Sequence, residues 1–286
     1  MTAATYAAAQ LLRVLPRERI TRAVGRLCDA RLHPRLAEVV VDLYVRAYRV
    51  DLADALDEPG PYESFDAFFT RKLREGARPA PADASVIVSP ADGRLEDAGP
   101  VWSGGRLQIK GRDYTVGDLV GDEGEVARYE GGQFAIVYLS PRDYHRVHAP
   151  VAGQVTLIRS MPGHLFPVNA IGERHIPSLF AVNRRVAIVI DTKDIGRVTV
   201  VMVGAMIVGR ITVSAINAAD VPLGNHVISP PRAVERGDEI GIFHLGSTAV
   251  IFVEKGAVAS FHAAASGPLS PRPIRLGEPL AGDPPR

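Results

Sequence analysis

From about residue 86 the chain is a succession of short apolar runs broken by Gly, Pro and Asp: "VIVSPADG", "RLQIKG", "FAIVYLSP", "RRVAIVIDT", "RVTVVMVGAMIVGRITV", "EIGIFHLGSTAVIFVEKG". Runs of this kind at such short intervals are the signature of strands joined by tight turns. They predict a β-rich domain of sandwich or barrel type. No apolar stretch approaches the ~20 residues that a membrane-crossing helix requires.

The first 75 residues or so have a different texture. Pro16 and Pro34 divide them into helical pieces, of which "TYAAAQLLRVLP" and "PRLAEVVVDLYVRAYRV" are amphipathic. In the second, Leu36, Val40, Leu43, Tyr44 and Ala47 share one face. "GPYESFDAFFTRKLREG" predicts a short helix capped by Ser64 and bearing Phe65, Phe68 and Phe69. The Pro/Ala-rich "ARPAPADAS" is the boundary. The expected organisation is an α+β chain. A helical region spans 1–78, a β-rich sandwich or barrel-like domain 79–265, and a loosely held Pro-rich tail 266–286.

Charge narrows the partners. The formal net charge is +1, which gives no reason to expect nucleic acid. It is unevenly spread, however: residues 1–50 hold nine arginines against Glu18, Asp29, Glu38 and Asp42. A basic amphipathic helix lies in an anionic lipid interface or packs on its own core. Composition alone favours the second. Arg13, Arg17 and Arg19 interrupt any leader-like apolar run at the N-terminus. The single cysteine, Cys28, excludes an intrachain disulfide and any cysteine-based metal cluster.

An internal echo, "SPADGRL" and "APVAGQV", places a Pro-x-x-Gly turn before a strand twice, and "ERGDEIGIF" predicts a Gly-Asp hairpin. Such turns recur in barrel-sandwich carriers of lipoyl or biotinyl groups. None of the four lysines (Lys72, Lys110, Lys193, Lys255) has the carrier flanks, so the echo speaks to fold alone.

Three stretches concentrate reactive groups. "SPADGRL" has Asp92 in a turn, where Asp-Gly is also ordinary turn chemistry. "SPRDYHRVHAP" has His145 and His148, three apart; a metal pair is the weaker reading, for no cluster with ligand spacing accompanies them. "FHLGST" sets Ser247 after Gly246 between two apolar arms. It reads as a bulge or turn, or as a bond whose serine attacks the preceding carbonyl with help from an Asp–His pair. Alone, "LGST" favours the turn.

Together, "SPADG", "YLSPRDYHRVHAP" and "FHLGST" closely resemble the phosphatidylserine decarboxylase family. "YESFDAFFTRKLREGARP", "MPGHLFPVN", "PSLFAVNRRV" and "VGAMIVGRI" extend the resemblance over roughly residues 40–256. Two positions depart from the family pattern: Arg184 stands for an acidic residue and Pro167 for a small polar one.

The resemblance implies a proenzyme that cuts itself between Gly246 and Ser247, giving two chains. Ser247 becomes a pyruvoyl group, Asp92 and His148 activate it, and His145 serves decarboxylation or protonation. It also implies phosphatidylserine in an anionic membrane as substrate, phosphatidylethanolamine as product, a peripheral location on the cytoplasmic side, and a homodimer. That prospect turns the preference for residues 1–50 to the lipid interface. The competing readings are a non-catalytic barrel-sandwich binding module and a Ser-His-Asp lipid-ester hydrolase.

Overall fold

The computed structural model describes residues 17–168, 170–206, 210–245, 247–257, 261 and 271–280. The amphipathic segment expected over 5–16 lies outside them. Three helices open the described chain: α1 (Arg17–Asp29), α2 (Pro34–Tyr48) and α3 (Phe65–Phe69). Pro34 opens α2, where its missing N–H breaks no helical bond. Ser64 caps α3 as expected: its hydroxyl accepts the Ala67 N–H at 3.1 Å. Phe68 and Phe69 are buried.

The apolar face anticipated for α2 divides in two. Tyr44 turns inward, its ring centroid 4.9 Å from Phe65 and 5.8 Å from Phe68. Leu36, Val39 and Leu43 turn outward and are exposed. The helix is apolar on two sides, and only one of them meets the core.

The strands then follow: β1 (Gly93–Pro100), β2 (Arg106–Ile109), β3 (Arg112–Thr115), β4 (Gln133–Leu139), β5 (Arg146–His148), β6 (Gly153–Met161), β7 (Arg185–Asp191), β8 (Arg197–Val203), β9 (Arg210–Val213), β10 (Gly224–Val234), β11 (Glu239–His244), β12 (Ser247–Val253) and β13 (Arg272–Ile274). Short helices α4 (Val116–Val120), α5 (Val126–Tyr129), α6 (Ala170–His175) and α7 (Leu179–Val182) fill the connections. The architecture is α+β, and the strands form antiparallel sheets.

Eight strands form the main sheet, in the order β10-β6-β7-β8-β12-β4-β1-β13. A three-stranded sheet, β5-β11-β9, shares its core, contributing Val147, Ile211, Ile240 and Phe243. The two sheets approach closely at Gly241, where a Cβ would stand 2.6 Å from Met202 Sδ. Runs such as Val186–Ile190 and Ala249–Val253 are wholly buried, which explains why they read as unbroken apolar stretches rather than alternating ones.

Two expectations are corrected. "ERGDEIGIF" is not a hairpin: β10 pairs with β6, and β11 pairs with β5 and β9. Its Gly237 (φ 94°) turns the chain from one sheet into the other. The tail is not loose over 271–280, because β13 extends the sheet alongside β1 and Leu276 and Leu280 are buried.

Candidate active site

The stretch that raised the chemical question spans the two sheets. β11 ends at His244 in the three-stranded sheet, and β12 begins at Ser247 in the eight-stranded one. Gly246 and the Ser247 side chain lie outside the described residues. Both flanks are pinned: β11 is paired on each side, and from Thr248 onward β12 lies between β4 and β8. Between them Leu245, a buried non-glycine residue, sits at φ 91°. A side chain at such a φ costs about 1–3 kcal/mol and persists only where its surroundings impose it.

Asp92 lies in the turn that enters β1, as expected. Gly93 follows because a Cβ there would stand 2.3 Å from the Tyr138 carbonyl oxygen. The Asp92 carboxylate is gripped by Arg78, whose Nη2 and Nε donate at 2.6 and 2.9 Å, and accepts the Leu276 N–H at 2.8 Å. Arg78 also reaches Asp54 at 2.7 Å.

His148 follows closely in space, its N–H donating to the Pro90 carbonyl at 2.8 Å. The two side chains are not hydrogen-bonded to each other. His148 Nδ1–H donates instead to the Gly237 carbonyl (2.6 Å), and Nε2 accepts the Tyr144 hydroxyl (3.1 Å). This fixes one tautomer and leaves Nε2 as the basic nitrogen. Burial lowers the His148 pKa; the Gly237 bond and the charges of Glu239 and Asp92 pull the other way.

His145 turns elsewhere. It is fully buried, and its ring lies 4.0 Å from the Phe69 ring, centroid to centroid. The turn before it is locked by Asp143, which accepts from the Ser140 N–H and hydroxyl at 2.7 and 2.6 Å. That turn presents the Asp143 carbonyl to His145 Nδ1–H at 2.8 Å. His145 Nε2 is therefore a lone-pair nitrogen, and it has no partner among the described residues. Burial, reinforced by Arg71, pushes the pKa down to about 3. The His145 carbonyl accepts the Phe243 N–H at 3.0 Å, which ties this segment to β11.

Sequence reasoning passed over His244, although it stands inside the quoted stretch. Its Nδ1–H donates to Asp66 of α3, with both carboxylate oxygens at 2.9 Å. Nε2 is 3.3 Å from the Thr212 hydroxyl. Arg210, opposite His244 in the β9–β11 ladder, binds Asp66 at 2.9 Å and Asp29 of α1 at 2.7 and 2.8 Å. A histidine two residues before Gly-Ser was the available signal.

Two cavities meet at Leu245. One, of about 620 Å³, lies between α1 and the corner and is lined by Arg22, Arg26, Arg210, His244 and Leu245. The other, of about 320 Å³, is apolar, with Tyr44, Phe65, Phe69, Tyr138 and Leu139 in its wall. Cys28 borders both, and burial followed by the charges of Asp66 and Asp29 raises its thiol to about 11. It is a protonated thiol at neutral pH. Asp92 and Tyr144 face a separate cleft of about 180 Å³. Arg184 is held by Asp220 through two bonds of 2.8 and 2.7 Å.

The family model described as phosphatidylserine decarboxylase matches residues 65–281. A phosphatidylserine decarboxylase proenzyme of Shewanella baltica is 38% identical over 278 residues, covering 94% of each chain. The proenzyme of the same description from Anaeromyxobacter sp. strain K is 39% identical, covering 95% of this chain and 96% of its own. That from Bordetella avium is 40% identical, covering 93% and 91%.

Proposed function

From the premise that the chain belongs to the phosphatidylserine decarboxylase family, we propose that it cuts itself at Gly246–Ser247 and then converts phosphatidylserine to phosphatidylethanolamine and CO₂. The observation that carries the reading is Leu245. A buried non-glycine residue at φ 91°, between two pinned strands, stores strain beside the bond to be cut.

In the self-cleavage, a base takes the Ser247 hydroxyl proton and Oγ bonds to the Gly246 carbonyl carbon. The carbon–nitrogen bond breaks, and the Ser247 nitrogen takes the proton. Loss of the Ser247 Cα proton then breaks the Oγ–Cβ bond and frees the Gly246 carboxylate. The dehydroalanine left behind tautomerises, and water displaces its nitrogen as ammonia, leaving pyruvoyl. His148 Nε2 is the basic nitrogen proposed for the first step, and the Tyr144 hydroxyl must swing from it when it acts. Asp92 lends negative charge nearby, favouring the protonated ring.

The surroundings fit a small carbonyl group. The buried polar atoms without a partner among the described residues include His145 Nε2 and the hydroxyl of Thr248, in the strand that Ser247 begins. The pyruvoyl ketone supplies, on the substrate amine, the electron sink that amino-acid decarboxylation needs and no side chain offers. His145 Nε2, held as a lone pair, is the site where a proton is accepted and then delivered to the substrate Cα. Burial keeps the ring neutral in the free protein, so the proton it delivers must first come from the substrate ammonium group.

The substrate reaches the site from a bilayer. Leu27 of α1 and Leu36, Val39 and Leu43 of α2 are exposed apolar side chains that such an interface would take up. Arg22 and Arg26, one helical turn apart, stand exposed at the 620 Å³ cavity with no ion-pair partner among the described residues, and are assigned the headgroup phosphate. No described helix is long and apolar enough to cross a membrane.

Intact mass under denaturing conditions tests the reading. Active protein should separate into two chains split at 246/247, the smaller blocked by pyruvoyl. A single full-length chain from active protein would sink it, and would return the question to a hydrolase or a binding module.

A further inference from the structure

Self-cleavage requires the strained backbone at Leu245 to hold until the bond breaks. The sheets pin it from the strand side. What pins His244, the last paired residue before it, comes from the helical layer.

His244 Nδ1–H is received by Asp66 at 2.9 Å, and both side chains are largely buried. Asp66 lies in α3, whose Ser64 cap and two buried phenylalanines fix it against the core. The same five-residue helix places Phe69, three positions on, against His145. Residues three apart share a helix face, so one face of α3 meets both His244 of β11 and His145, whose carbonyl bonds to β11. Arg210 closes the arrangement: it sits opposite His244 in the ladder, binds Asp66, and continues to Asp29 at the end of α1.

Nδ1 lies within 2.8 Å of Arg210 Nη2 as well as 2.9 Å from Asp66. It cannot accept from Arg210 while donating to Asp66, and the carboxylate selects the donor form. Nε2 is left to accept from the Thr212 hydroxyl. Both ring nitrogens thus face fixed partners, and the ring is oriented as well as buried.

We propose that His244, clamped by Asp66 and Arg210, is a positioning residue for the self-cleavage, so that bond breaking at 246/247 depends on the seating of α3. His244 acts through the backbone: with its ring held, Leu245 cannot relax out of the left-handed region towards ordinary extended backbone. The proposal rests on the self-cleavage reading and extends it to a residue pair outside Asp92 and His148.

The test follows chain splitting of freshly made full-length protein by intact mass, with thermal melting measured on the same samples. Ser247→Ala, which has no nucleophile, is the uncut control. His244→Phe fills the space without a donor, and His244→Asn restores an N–H near the Nδ1 position. Asp66→Asn removes the acceptor's charge at constant size and serves if the His244 variants fold poorly.

The expected result is that His244→Phe and Asp66→Asn split at least about tenfold more slowly, equal to about 1.4 kcal/mol on the barrier. His244→Asn stays within about threefold of the parent, and melting temperatures remain close. Splitting of His244→Phe at the parent rate, or rates that merely track falling melting temperature, overturns the positioning role while leaving self-cleavage standing. A parent chain that never splits, like its Ser247→Ala control, overturns both.

Discussion

The ring of Phe69 lies 4.0 Å from the ring of His145, and neither side chain reaches solvent. Phe69 therefore helps to exclude water from His145 Nε2, which has no partner among the described residues. Phe69→Ala should cost about 3–5 kcal/mol of stability through the lost burial and the cavity. It should also let water reach His145 and raise its pKa towards 6.5. Urea unfolding and NMR titration of the histidine ring check the two effects. Loss of stability with an unmoved titration would show that Phe69 only fills space.

The low pKa of His145 has a consequence for stability. Folded, the group titrates near 3; unfolded, near its ordinary 6.5. As pH falls from 6.5 towards 3 the unfolded chain binds a proton that the folded chain refuses, so stability falls. The slope from this group is at most about 1.4 kcal/mol per pH unit. His148, also lowered by burial, adds in the same direction. His145→Asn keeps a donor for the Asp143 carbonyl and removes the titration. Urea midpoints at pH 7, 6, 5 and 4 should fall less steeply for it than for the parent. Equal slopes would mean that His145 binds its proton over the same pH range in the folded and unfolded chains.

Local features of the chain were legible where the cause is local. Ser64 caps α3 because its hydroxyl needs only the N–H three residues on. Asp92 and Gly93 turn into β1, and the unbroken apolar runs become central strands. The α+β order followed from texture alone. What could not be read joins distant segments: His244 and Asp66 are 178 positions apart, and His148 and Gly237 are 89 apart. The hydrogen-bonded Asp–His pair next to the corner is Asp66–His244, not Asp92–His148, because register and sheet packing decide which rings meet. The tail misled for the same reason: a Pro-rich segment looks loose until the free edge of β1 is seen to be its partner.

The grip of Arg78 on Asp92 separates stability from chemistry. Both side chains are about seven-eighths covered, at 12% and 13% exposure, and Asp54 shares the guanidinium. Hydrogen bonding to Asp92 holds the Arg78 pKa above its ordinary value. Arg78→Met leaves the largely buried Asp92 carboxylate without its cation, while Asp54 keeps Arg275 at 3.9 Å, and should lower stability by about 2–4 kcal/mol. Asp92→Asn removes the charge and keeps the shape, so its stability cost should be smaller and its effect on chain splitting larger. Chemical denaturation and intact mass on both variants check the order. Asp92→Asn splitting at the parent rate would remove Asp92 from the self-cleavage and leave it as the anchor of Arg78 alone.

The outward face of α2 tests how the enzyme finds its lipid. Leu36 and Leu43 are 51% and 68% exposed, seven positions apart on one side of the helix. Changing both to Ser removes apolar surface from solvent rather than from the core, so melting should move little. Insertion of such side chains into a lipid interface is driven by their apolar area, with the nearby arginines adding attraction to anionic headgroups. Binding to vesicles containing phosphatidylserine should therefore weaken about tenfold in the double variant, since two partly inserted leucines contribute about 0.7 kcal/mol each. It should also weaken as salt is raised, because screening acts on Arg22, Arg26 and Arg35. Sedimentation with vesicles measures both. Binding unchanged by the serines and by salt would place the lipid contact on another surface, and activity towards a short-chain, water-soluble phosphatidylserine would then show whether the site itself is intact.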